Sequence, residues 1–145
     1  MELELDVSDI KWAKESRFGG IDFLSQLTEQ ELTALIYKIR KIEFKAGKII
    51  LFQGEFSNRL FLIKTGKVAV FVAKEGKKIR IAELTEKSYF GETSLIQPVA
   101  ASATVVAEED SEILILERET IEEVFKNKPT VLETIHKKIE ERKSK

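Results

Sequence analysis

The stretch Tyr89 to Val105, "YFGETSLIQPVAASATV", carries the residues of this chain best suited to grip a ligand. Gly91 permits a backbone turn that residues with a β-carbon resist, and "ETSLI" fits one short helical turn directly after it. Such a turn presents the N–H groups of Glu92, Thr93 and Ser94, an arrangement that attracts phosphate. Glu92 is suited to accept hydrogen bonds from a ribose hydroxyl, as acidic side chains do at other nucleotide sites. The same residues also read as ordinary capping, a Gly-Glu turn ahead of hydroxyl-bearing helix starters. No Lys or Arg lies between Tyr89 and Val105, so a phosphate held here receives no cation from the stretch itself.

The rest of the inventory argues against an enzyme. His136, the only histidine, lies in the polar run "IHKKIEER" and reads as a solvated helix residue. A small metal-dependent barrel enzyme needs several histidine ligands. Glu108, Glu109 and Asp110 stand beside Ser111 between two strands, where a solvated turn places acidic residues. The absence of cysteine excludes disulfides, thiol nucleophiles and thiolate metal ligands, and neither GxGxxG nor GxxxxGK[ST] occurs. No catalytic residue, metal ligand or tightly held cofactor is expected.

The elements that must position the stretch are marked by glycine. Gly47, Gly54, Gly66, Gly76 and Gly91 separate short runs rich in Ile, Val, Phe and Leu, among them "KIILF", "RLFLIK", "KVAVFVA", "KIRIAEL", "SATVVAE" and "EILILE". Runs at this spacing predict an antiparallel sandwich or barrel of about eight strands. Alternation such as Ile79-Arg80-Ile81 predicts one buried face and one wet face. Thr28 to Ile39, "TEQELTALIYKI", puts Leu32, Leu35, Ile36 and Ile39 on one stripe behind a Thr28…Glu31 capping box, an amphipathic helix. "ETIEEVFKNK" and the stretch opened by Pro129 predict two further helices after the sheet.

With 145 residues, of which 43% are hydrophobic, the chain has material for one domain with a core. Its 24 Lys and Arg nearly cancel 25 Asp and Glu, which gives no electrostatic reason to expect nucleic acid or an anionic membrane as partner. No run approaches a membrane span and the acidic start "MELELDVSD" is unlike a signal peptide, so a cytoplasmic protein is expected. Abundant Lys and Glu with little Asn, Gln, Met or Cys point to a heat-loving source.

Taken together, "GKIILFQGEFSNRLFLIKTGKVAVFV", "YFGETSLIQPVAASATV" and "EILILERETIEEVFKNKP" resemble the cyclic-nucleotide-binding domain family, to which the catabolite activator protein and the regulatory subunits of cyclic-AMP-dependent protein kinase belong. The resemblance runs from about Ile21 to Lys143. It implies a mainly β fold with flanking helices: an antiparallel double-stranded β-helix, a jelly-roll-like β-roll, with one N-terminal and two C-terminal helices. Residues 1–20 are then an N-terminal extension and 21–145 a single domain. In the family a phosphate-binding cassette reads F-G-E-x-[AS]-L and then Arg-[AS]-A. Here Phe90, Gly91, Glu92, Ser94 and Leu95 match, followed by Ala101, Ser102 and Ala103, with Thr93 at the open position. The resemblance implies that Glu92 meets the ribose and that the turn's N–H groups and Ser102 face a cyclic phosphate.

Ala101 stands where the family has its arginine. Arg59 and Arg80 are the candidates to replace that charge, yet each reads more simply as a solvent-facing strand residue, and Lys64 and Lys67 as water-exposed flanks of the Thr65-Gly66 turn. The chain ends at Lys145, without the helix-turn-helix domain of the family's transcription factors, so direct DNA binding is not expected. Val131, Leu132, Ile135 and Ile139 form a stripe suited to docking on the roll or to a homodimer or other protein partner. Trp12 is expected to anchor the N-terminal segment; Phe18 has no family counterpart. Two functions follow. One is a stand-alone sensor that binds cyclic AMP or cyclic GMP weakly, or a different small anion. The other is a degenerate, ligand-free interaction or dimerisation module.

Overall fold

Strands β5 (Arg59–Thr65) and β11 (Ser111–Glu117) show why the chain folds as it does, because each is apolar at both parities. Leu60, Leu62, Leu114 and Leu116 face one hydrophobic cluster, and Phe61, Ile63, Ile113 and Ile115 face another. A strand buried on both faces requires cover on both, here a second sheet on one side and helices on the other. The computed structural model describes residues 1–20, 27–97 and 99–143.

The remaining strands are β1 (Glu2–Leu3), β2 (Arg40–Phe44), β3 (Ile49–Leu51), β4 (Phe56–Ser57), β6 (Lys67–Lys74), β7 (Lys77–Thr85), β8 (Tyr89–Phe90), β9 (Val99–Ala100) and β10 (Thr104–Ala107). They form a five-stranded sheet in the order β1-β2-β11-β5-β8, a four-stranded sheet β3-β10-β6-β7, and the pair β4-β9. Every described pairing is antiparallel, as a β-roll demands. The roll interior holds Ile50, Leu51, Phe61, Ile63, Val68, Val105, Ala107, Ile113 and Ile115.

Helices cover the outer face of the five-stranded sheet. The expected capping box is present at α2 (Glu29–Ile36): Thr28 Oγ1 accepts from the Glu31 N–H at 3.1 Å, and Glu31 Oε1 accepts from the Thr28 N–H at 2.9 Å. The helix stops at Ile36 rather than Ile39, because the Lys38 and Ile39 N–H groups turn to bond the Leu35 and Ile36 carbonyls, which swings the chain into β2. Ile39 is buried all the same. The two C-terminal helices are α3 (Arg118–Val124) and α4 (Pro129–Lys143), with Pro129 in the first turn. Ile121, Phe125, Ile135 and Ile139 enter the same cluster as Leu35, Leu60 and Leu114, and Val131 and Leu132 pack against it, so the stripe read as a possible dimer seam docks on its own chain.

Further readings change. The segment before residue 21 contains a helix, α1 (Val7–Gly20), beyond the single N-terminal helix expected; its sequence has no apolar stripe, and among its described side chains Ala13 with parts of Ile10 and Trp12 joins the core. Trp12 does anchor this segment, whereas the Phe18 side chain and Ile21 lie outside the described residues. Lys64 does not hang in water: its Nζ lies 2.5 Å from Oδ1 of Asp9, a fully buried carboxylate that also accepts from Lys41 Nζ at 2.9 Å. Lys67 is half-buried, with Glu83 at 3.6 Å. Ile79 and Ile81 are exposed, at 44% and 58%, because β7 is an edge strand and its pairing with β6 shifts register between Val70 and Phe71. Among the described residues no helix is long and apolar enough to cross a membrane.

Candidate functional site

Gly91 adopts φ +85°, a left-handed conformation, and begins the turn into a 3₁₀ helix, Glu92–Leu95. A β-carbon at Gly91 would stand 2.7 Å from the Arg59 carbonyl oxygen, so only glycine lets β8 lie this close to β5. Phe90, just before it, stacks on Phe61 with ring centroids 4.8 Å apart. After the 3₁₀ helix the chain returns through β9, and Ala101 is clamped: its N–H donates to Glu55 O at 2.8 Å and its carbonyl accepts from the Gly54 N–H at 2.7 Å.

Between these two segments and the inner face of the roll lies a cleft of about 440 Å³. It is lined by Phe90, Gly91, Glu92, Thr93, Ser94, Ala101, Ser102 and Ala103 from the stretch singled out in the sequence. Leu51, Ser57, Val70, Val99, Ala100 and Val105 complete it. A volume of this size suits a small organic ligand. Leu51, Ser57 and Val70, the lining residues outside the stretch, escaped the sequence reading because only strand pairing brings them in; Ser57 arrives by its register opposite Val99, which its neighbours in sequence do not announce.

Leu95 does not line the cleft. It is buried in the helix-side cluster with Ile121, Phe125, Ile135 and Ile139, so the 3₁₀ helix has one end in the cleft and the other against α3 and α4. Ser94 is also turned away from a ligand: its Oγ donates to the Arg59 carbonyl at 2.8 Å and the Gly91 carbonyl at 2.5 Å, and its N–H already donates to Gly91 O at 3.1 Å. The donors at the open start of the turn are therefore the Glu92 and Thr93 N–H groups, which have no intrahelical partner. Ser102 is exposed at the cleft mouth, and Ala103 is half-buried beside it.

The two arginines considered as substitutes for the missing charge differ. Arg80 is exposed on β7 and committed elsewhere, its guanidinium donating to both Glu108 oxygens at 2.6 and 2.9 Å and to Glu83 at 3.1 Å. That hydrogen bond to Glu108 holds Arg80 even more firmly protonated and draws the Glu108 carboxyl below its usual range. Arg59 is half-buried instead of solvent-facing, with its guanidinium carbon 5.1 Å from the Phe61 ring centroid. The acidic turn behaves as expected: Glu108, Glu109 and Asp110 are exposed, and Asp110 Oδ1 accepts from the Ala46 N–H at 2.9 Å.

Comparison with known proteins agrees with this geometry. The family model for the cyclic nucleotide-binding domain matches residues 41–128. The cGMP-dependent protein kinase of Toxoplasma gondii is 30% identical over 87% of this chain, which spans 12% of that protein. The cyclic AMP receptor protein of Thermus thermophilus is 37% identical over 68% of this chain, a match covering 45% of its length. Among solved structures, the N-terminal domain of a transcriptional regulator from Streptomyces coelicolor superposes with a TM-score of 0.78 at 19% identity, covering 86% of this chain and 90% of that one.

Proposed function

Because this chain belongs to the cyclic nucleotide-binding domain family, we propose that it is a cytoplasmic regulatory sensor domain whose cleft takes a cyclic nucleotide, or another small anionic ligand, with modest affinity. One observation carries the reading: a single 3₁₀ helix joins the cleft to the terminal helices. At its start are the Gly91 turn, the Glu92 carboxylate and two open N–H groups; at its end Leu95 is packed among α3 and α4. A ligand bridging Glu92, the turn and Ser102 draws the start of this helix toward the roll, and Leu95 cannot follow without repacking Ile121, Phe125 and Ile135. A ligand with differential affinity for the two packings shifts their populations, which is the signal.

The modest affinity follows from Ala101, at the position the resemblance matches to an arginine. Loss of one partner from a desolvated charge pair costs about 2–5 kcal/mol. Ala101 also favours a second reading, a ligand-free interaction module that keeps the fold. Thermal melts and Trp12 fluorescence with cyclic AMP and cyclic GMP separate the two. Ligand at 100 times its dissociation constant stabilises by about 2.7 kcal/mol. A melting temperature unmoved by millimolar amounts of either nucleotide would refute the cyclic-nucleotide reading and favour the module.

A further inference from the structure

We propose that Arg59, on the inner face of β5, supplies the positive charge for the ligand's phosphate that the cassette lacks; the proposal rests on the reading of the cleft as an anion site. Alternation along β5 sends Leu60 and Leu62 to the helix side and Phe61 and Ile63 into the roll, so Arg59 shares the parity of Phe61. Its guanidinium lies against the Phe61 ring. That ring in turn stacks on Phe90, which lines the cleft, and comes within 3.4 Å of where a Gly91 β-carbon would stand. The Arg59 main chain is held to both cleft walls: its carbonyl accepts from Ser94 Oγ, and its N–H donates to Oγ of Ser57 at 3.2 Å. Arg59 is not itself among the residues lining the cleft; its guanidinium rests on the Phe61 ring beside it and must swing off that ring to reach a phosphate at the turn.

Its charge is uncommitted. Arg40, Arg80 and Arg118 each have a carboxylate within 4.0 Å, and among the described residues Arg59 has none. Its cross-strand neighbour Glu117 lies 3.8 Å from Arg40 instead. A half-buried guanidinium without a counter-charge favours an incoming anion, and its planar fork matches phosphate oxygens two at a time. The ligand class is a nucleoside cyclic phosphate, whose single negative charge this one arginine balances. A neutral nucleoside lacks the group that Arg59 would recognise.

Calorimetry on the full chain with cyclic AMP, cyclic GMP, adenosine and guanosine tests this. Arg59→Met keeps an apolar stem over Phe61 and removes the charge. It should weaken cyclic-nucleotide binding at least tenfold while moving nucleoside affinity less than twofold, and Arg59→Lys, which restores the charge without the planar fork, should recover only part of the loss. Unchanged cyclic-nucleotide affinity in folded Arg59→Met overturns the role of Arg59 and leaves the cleft reading standing. Equal wild-type affinity for a cyclic nucleotide and its nucleoside overturns both the role of Arg59 and the reading of the cleft as an anion site. Binding of none of the four by folded wild type overturns the cleft reading and this proposal with it. Should Arg59→Met not fold, the Nε–H resonance of wild-type Arg59, assigned by its loss in Arg59→Lys, must shift on saturation with cyclic nucleotide; an unmoved resonance overturns the proposal.

Discussion

Replacing Ala101 with arginine should restore a cation to the cassette and tighten cyclic-nucleotide binding. Ala101 is half-buried, lines the cleft, and has both main-chain groups bonded to the Gly54-Glu55 turn, so its β-carbon direction is set and a longer side chain must emerge into or along the cleft. A hydrogen bond to a charged group contributes about 1.5–3 kcal/mol. At 1.4 kcal/mol per factor of ten, the gain is about tenfold to somewhat over a hundredfold. Arg59 lowers that figure in wild type, since two cations on one phosphate are not additive, and the gain should be larger in Arg59→Met. It should shrink when Glu92→Ala is added, because ribose and phosphate belong to one ligand. The longer side chain costs about 1–3 kcal/mol if it crowds the roll interior, which a melt reports separately from affinity. Calorimetry at one fixed ionic strength, on variants first shown to be folded, gives the answer. No gain in either Arg59 background would refute the argument, since the phosphate would then not lie beside Ala101.

Gly66→Val should lower stability by about 2–4 kcal/mol, from 1–3 of backbone strain and about 1 for the strained Ser111 bond to Lys67 N–H. Gly66 has φ +104°, and its β-carbon would stand 2.7 Å from Ser111 Cα. A melting temperature within error of wild type would show that this contact relaxes freely. Asp9→Ala should cost about 3–5 kcal/mol, because it leaves the buried Lys41 without its nearest carboxylate. Burial pushes the Asp9 carboxyl up, but hydrogen bonds from Lys64, the Asp6 N–H and Lys41 outweigh it and hold the pKa below 3.8. Its contribution is therefore complete above the unfolded value and lost as pH falls through the lower folded one. Melts between pH 2 and pH 6 should lose this acid-side step in Asp9→Ala, and identical profiles would contradict it. Leu95→Ala should cost about 2–5 kcal/mol and, where cyclic AMP still binds, weaken the ligand-dependent change in hydrogen exchange of α3 and α4; an undiminished change would mean that the signal leaves the cleft by another route.

Much of this molecule is legible one segment at a time. The Gly91 turn, the Thr28…Glu31 capping box and the Pro129 helix start depend on a few neighbouring residues, so their chemistry is local and shows in the order of the letters. The cassette is nearly contiguous for the same reason, and its residues meet at one cleft with the exceptions of Leu95 and the inward-turned Ser94 hydroxyl. Other outcomes depend on which face long-range pairing covers. "KIRIAEL" alternates as a half-buried strand should, yet Ile79 and Ile81 lie on an edge beside a register shift. Lys64 looks like a turn flank until α1, which has no apolar stripe to announce it, brings Asp9 over the sheet. Arg59 reads as a surface residue because a single cation beside "LFLI" is most simply solvated. Pairing of β5 with β8 on one side and β11 on the other turns that parity into the roll, and places a free guanidinium against the ring beside Gly91. Such placements rest on contacts between residues tens of positions apart, whose free energies compete across the whole fold and leave no mark in the neighbouring sequence.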